Sequence, residues 1–80
     1  MKKVLIADDS LFMRQNLRKI VETGGFEVIG EAVDGINAVE LFELLKPDIV
    51  TLDITMPKMS GLEALKMIKK INKNAKVIMC

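Results

Sequence analysis

Two short apolar runs, Val4-Leu5-Ile6-Ala7 and Ile49-Val50-Thr51-Leu52, each stop abruptly at an aspartate. An apolar run without alternation reads as a strand covered on both faces, the environment of a parallel sheet packed between helices. Between the runs the apolar period changes to that of a helix. Strands and helices must therefore alternate, and parallel neighbours need right-handed crossovers.

The remaining segments fit that frame. Beyond Ser10, the apolar residues Met13, Leu17, Ile20 and Val21 recur at helical spacing, with Asp9 or Ser10 available as a cap and Gly24-Gly25 able to close the helix. Phe26 to Ala32 returns to strand composition but carries two carboxylates, which suits a sheet edge. Asp34 caps a second helix, expected to point Ala38, Val39, Phe42 and Leu45 inward and to end at Lys46-Pro47, because the residue before proline avoids helical dihedrals. Ser60-Gly61-Leu62-Glu63 has the form of a capping box for a third helix, with Ala64, Leu65, Ile68 and Ile71 facing the core. Ala75 to Cys80 reads as a fourth strand.

The predicted class is a doubly wound parallel α/β sheet. The first and third strands are the most apolar and the second the most polar, which gives the order 2-1-3-4. Winding reverses between strands one and three, and in such sheets ligands bind beside that reversal at the carboxyl ends of the strands. Asp8, Asp9 and Asp53 all fall there.

Composition narrows the chemistry. Twelve Lys and Arg against eleven Asp and Glu leave a formal charge of +1, and with three Phe and neither Trp nor Tyr the chain offers nucleic acid no strong footprint or stacking platform. No apolar run approaches the ~20 residues that cross a bilayer. Without a leader-like start, and with Cys80 as the lone cysteine, the chain reads as cytoplasmic, with neither nucleic acid nor membrane as a partner. It has no histidine, so imidazole cannot serve as a base or a metal ligand.

That leaves the acids. Singly, each aspartate has an ordinary explanation as a cap or a loop start. Together at one crevice they repel, and a hard divalent cation relieves the repulsion; Mg2+, held by a few carboxylates together with phosphate oxygens, fits best. A carboxylate can also attack phosphorus. Asp53, alone at the end of a central strand, is best placed as the nucleophile, while the adjacent Asp8 and Asp9 can share the ion.

Asp8-Asp9 after the first strand, Asp53 after the third, Met56-Pro57 beyond it, Gly61 at the next helix start and the whole stretch Lys46 to Pro57 resemble response-regulator receiver domains. The resemblance runs the length of the chain, 1–80, as a βαβαβαβ unit. It implies a flavodoxin-like fold and a role in two-component, chemotaxis-type signalling. Asp53 would accept a phosphoryl group from a phosphohistidine on a sensor histidine kinase. Mg2+ would be bound by Asp8, Asp9, Asp53 and the backbone carbonyl of Thr55. The receiver's Thr or Ser at the end of strand four and its Lys at the end of strand five fall beyond Cys80, as do its last helices. The chain is thus expected to correspond to the first two thirds of the domain, with the output switch lost.

Three further expectations follow. Val77-Ile78-Met79-Cys80 is apolar for an edge and asks for a neighbour, so a homodimer through strand four and an exposed sheet face is expected, in the alternative view of the chain as an excerpted or engineered fragment without signalling activity. A phosphatase resembling the haloacid-dehalogenase group is the lesser alternative, since such enzymes want an Asp where Thr55 stands; turnover as an enzyme is not expected. Met56 and Met59 read as gap fillers, Lys58 as a solvated lysine, Lys66, Lys69 and Lys70 as a wet helix face, and Cys80 as a thiol with no activating neighbour.

Overall fold

In the computed structural model, which describes residues 1–80, β1 (Lys3–Ala7), α1 (Leu11–Thr23), β2 (Glu27–Ala32), α2 (Gly35–Leu45), β3 (Ile49–Leu52), α3 (Gly61–Ile71) and β4 (Lys76–Met79) follow one another. The four strands form one parallel sheet in the order β2-β1-β3-β4, the order expected. Registers pair Ala7 with Ala32 on one side and with Leu52 on the other, so the carboxyl ends of β1, β2 and β3 are level.

Each helix starts where a side chain satisfies a free backbone N–H. Ser10, rather than Asp9, caps α1 by accepting from the Met13 N–H at 3.3 Å. Asp34 accepts from the Asn37 N–H at 2.7 Å at the start of α2. At α3 the capping box is complete: Ser60 Oγ accepts from the Glu63 N–H and Glu63 Oε1 from the Ser60 N–H, both at 3.2 Å. Lys46 ends α2 in the left-handed region, with φ 51°, just before Pro47.

The main core lies between the sheet and α2 with α3. Leu5, Ala7, Val50 and Leu52 pack there against Ala38, Phe42, Ala64 and Ile68, all buried. Met56 joins this core, in keeping with its expected role as a filler.

The opposite face differs from expectation. Helix α1 contributes no fully buried residue, and Ile20, expected inward, is 68 % exposed; Met13 is likewise exposed. The reason is packing: α1 sits mainly over β1 and β2, so the side of its apolar stripe turned toward β3 and β4 is only thinly covered. Ile71 is also exposed, at the last turn of α3. Strand β4 occupies the sheet edge despite its apolar sequence. Val77 and Met79 pack against the core, and Ile78 points to the α1 side, where Val4, Val21, Phe26, Ile49, Thr51 and Ile78 line a small cavity of about 90 Å³. The Thr51 hydroxyl is buried on this side without a hydrogen-bond partner.

Candidate metal and phosphoryl site

Asp8 and Asp53 are brought side by side by the strand pairing itself. Each follows the last residue of a central strand, and the ladders continue one step into them: the Asp8 N–H donates to the Ala32 carbonyl at 3.1 Å and the Asp53 N–H to the Ala7 carbonyl at 3.0 Å. Asp9 occupies the turn that leads into α1. One carboxylate oxygen from each of Asp8, Asp9 and Asp53 lies within 4.8 Å of the others, so the three acids that the sequence placed at one edge do converge. Asp8 is buried, Asp53 half-buried and Asp9 exposed.

Local hydrogen bonds hold the carboxylates. Asp8 Oδ1 accepts from the Ser10 N–H at 2.9 Å, and Asp53 Oδ1 from the Thr55 N–H at 3.3 Å. Thr55 itself is exposed, two residues past Asp53 in the β3–α3 turn. No lysine or arginine neutralises the cluster: the four ion pairs of the molecule are Arg14–Glu31, Arg18–Glu22, Arg18–Glu31 and Lys58–Asp34. Three hard oxygen donors, none of them in an ion pair, form a set that suits a hard divalent cation.

Two glycines let the surrounding loops close on this edge. A Cβ on Gly35 would fall 1.9 Å from the Met59 carbonyl oxygen, and one on Gly61 2.0 Å from the Asp53 carbonyl oxygen. Lys58, with φ 68°, lies 3.7 Å from Asp34 while its side chain stays exposed, as expected of a solvated lysine. Burial, and then the charges of Asp8 and Asp53, push the Cys80 thiol up in pKa, the direction opposite to activation.

Sequence reasoning missed Arg14. Its guanidinium donates to the Asp8 carbonyl at 2.8 Å and to Glu31 at 3.0 Å. No local pattern announces either partner, because Glu31 lies on β2 and Asp8 at the end of β1, both outside the helix that carries Arg14. The two larger clefts of the molecule, of about 550 and 570 Å³, open between the ends of α2 and α3 beside Asp48 and along the outer side of α1, and include none of the three site aspartates.

With this geometry in place, comparisons with known proteins agree. The family model for the response regulator receiver domain matches residues 4–80. The chemotaxis protein CheY of Thermotoga maritima is 57 % identical over 79 residues, covering 99 % of this chain and 66 % of that protein. The chain thus spans about two thirds of that relative's length. Among solved structures, the CheY of a CheX-CheY-BeF3-Mg2+ complex from Borrelia burgdorferi superposes with a TM-score of 0.93 at 48 % identity, over 98 % of this chain and 60 % of that one. The response regulator TrrA of Thermotoga maritima, in complex with Mg2+-BeF, gives 0.94 at 38 % identity, over 99 % and 68 %.

Proposed function

This chain belongs to the response regulator receiver family, and from that premise we propose that it is a phosphoacceptor of two-component, chemotaxis-type signalling: Asp53 takes a phosphoryl group from a phosphohistidine on a sensor histidine kinase. The observation that carries the reading is the convergence of Asp8, Asp9 and Asp53 at the carboxyl edge, with none of the three carboxylates in an ion pair. The donor set fits Mg2+, which Asp8, Asp9, Asp53 and the Thr55 carbonyl would hold. When bound, Mg2+ supplies positive charge next to the phosphoryl oxygens, the main need of such a transfer.

The chain's own residues do the rest. With Oδ1 engaged by the Thr55 N–H, Asp53 keeps Oδ2 free to attack. The Asp53 O–P bond forms as the donor's N–P bond breaks, and the electron pair leaves with the imidazole nitrogen. Asp53 is consumed once per event, so the chain acts as a stoichiometric acceptor and not as an enzyme with turnover. The solved relatives with BeF3 and Mg2+, or Mg2+-BeF, motivate this assignment. No helix is long and apolar enough to cross a membrane, and a cytoplasmic location is part of the proposal.

Incubation with acetyl phosphate and Mg2+, followed by peptide mass spectrometry, tests the reading. One phosphoryl group on the peptide containing Asp53, lost in Asp53→Asn and on chelation, is expected. Labelling that persists in Asp53→Asn would overturn it.

One observation favours a second reading, self-association. The half-covered face around Val4, Phe26, Ile49 and Ile78, beside the free edge of β4, would be covered by a second copy. Sedimentation should then show a dimer that Ile78→Lys dissociates. A monomer at high concentration dismisses it.

A further inference from the structure

We infer that Arg14 is a positioning residue for the cation site, fixing the direction of the Asp8 and Asp9 carboxylates by holding the peptide group between them. The inference rests on the proposed reading of Asp8, Asp9 and Asp53 as a cation site.

The acceptor of the Arg14 Nη1 hydrogen bond is the carbonyl of Asp8, at 2.8 Å. That carbonyl belongs to the Asp8–Asp9 peptide plane, so holding it fixes ψ of Asp8 and φ of Asp9 together. The other handles on Asp8 are already taken: its N–H donates to Ala32 and its Oδ1 accepts from Ser10. Only Asp8 Oδ2 and the Asp9 carboxylate then remain free, and their relative direction depends on the plane that Arg14 grips.

Arg14 is itself well anchored. Its side chain is 12 % exposed, and its Nε donates to Glu31 Oε1 at 3.0 Å. Glu31 stands on β2, opposite Ile6, and its second oxygen accepts from Arg18 Nε at 2.9 Å and Nη2 at 2.7 Å. Both oxygens of Glu31 are thus occupied, and Glu31 becomes the fixed point from which Arg14 reaches the strand end. The clamp matters more because α1 buries no apolar side chain that could hold its first turns in place.

The sign of the effect separates positioning from plain electrostatics. A guanidinium this close to a cation site repels the cation, so by charge alone removing it should tighten binding. Positioning predicts the opposite, as for other groups that orient metal ligands. Arg18 is the internal control, because it shares Glu31 and the same charge but does not touch Asp8.

The test is Mg2+ affinity, measured by calorimetric titration of wild type, Arg14→Gln, Arg14→Lys and Arg18→Gln, with thermal midpoints taken without metal. Arg14→Gln should weaken binding by about tenfold or more. Arg14→Lys, whose ammonium reaches further toward the Asp8 carbonyl than the Gln amide does, should recover most of the loss and covers the case in which Arg14→Gln does not fold. Arg18→Gln should lower the midpoint but weaken binding clearly less than Arg14→Gln does, since Arg18 shares Glu31 and makes no contact with Asp8. Unchanged or tighter binding in Arg14→Gln, or Arg14→Lys no better than Arg14→Gln, overturns the positioning role while leaving the cation site intact. A wild-type protein that takes up no Mg2+ overturns the site reading first and this inference with it.

Discussion

Gly61 stands directly against the backbone of Asp53: a Cβ added to Gly61 would lie 2.0 Å from the Asp53 carbonyl oxygen. The first turn of α3 and the end of β3 are thus in backbone contact, and the Gly61 N–H also donates to the Ile54 carbonyl at 2.8 Å. Helix propensity alone would make Gly61→Ala stabilising by about 1 kcal/mol. The contact reverses the sign. Gly61→Ala should destabilise by about 1–3 kcal/mol, as overpacking does, and should weaken Mg2+ binding because Asp53 has to shift. Urea unfolding paired with calorimetry checks both.

Thr51 carries the one buried side-chain polar atom that lacks a hydrogen-bond partner. A buried hydroxyl without a partner costs about 1–3 kcal/mol, and valine fills nearly the same shape. Thr51→Val should therefore raise stability by about 1 kcal/mol in urea unfolding, with Mg2+ affinity unchanged. A loss of stability would show that the hydroxyl has a partner in solution.

Glu31 gives the chain a pH signature. The hydrogen bond from Arg18, then that from Arg14, holds its carboxyl below the usual carboxylate range, while burial acts against them. A carboxyl lowered in the folded state contributes stability that is fully present above its unfolded pKa of ~4.3 and lost as pH falls through the folded value. Glu31→Gln should therefore be less stable than wild type at neutral pH, with the gap closing below about pH 4. Urea midpoints taken between neutral pH and about pH 3 would show this convergence. Parallel curves would mean that Glu31 is not linked to folding.

The parts of the fold that sequence could read are those with local causes. The ends of α2 and α3 follow from Asp34 and from Ser60 with Glu63, side chains that bond within three residues of themselves. The apolar runs ending at Asp8 and Asp53 gave the strands, and the contrast between polar β2 and its neighbours gave the sheet order. The order in turn brought the three carboxylates together. What stayed hidden is non-local. Helical spacing says which residues of α1 share a face but not how much of that face is covered, so Ile20 was expected inward and is exposed. The partner of Arg14 on β2 is 17 residues away, and no spacing rule names it. The left-handed backbone of Lys58 and its approach to Asp34 likewise depend on how two loops fold over each other.

Convergence of Asp8, Asp9 and Asp53 on one divalent cation is tested most directly by titrating the isotopically labelled chain with Mn2+ as a paramagnetic stand-in for Mg2+, following backbone amide signals. A single saturable site should broaden the amides of residues 8–10 and 53–55 first, be displaced by Mg2+, and disappear in Asp8→Asn and Asp53→Asn alike. Broadening centred elsewhere, or an Asp53→Asn variant that binds as wild type does, would contradict the account.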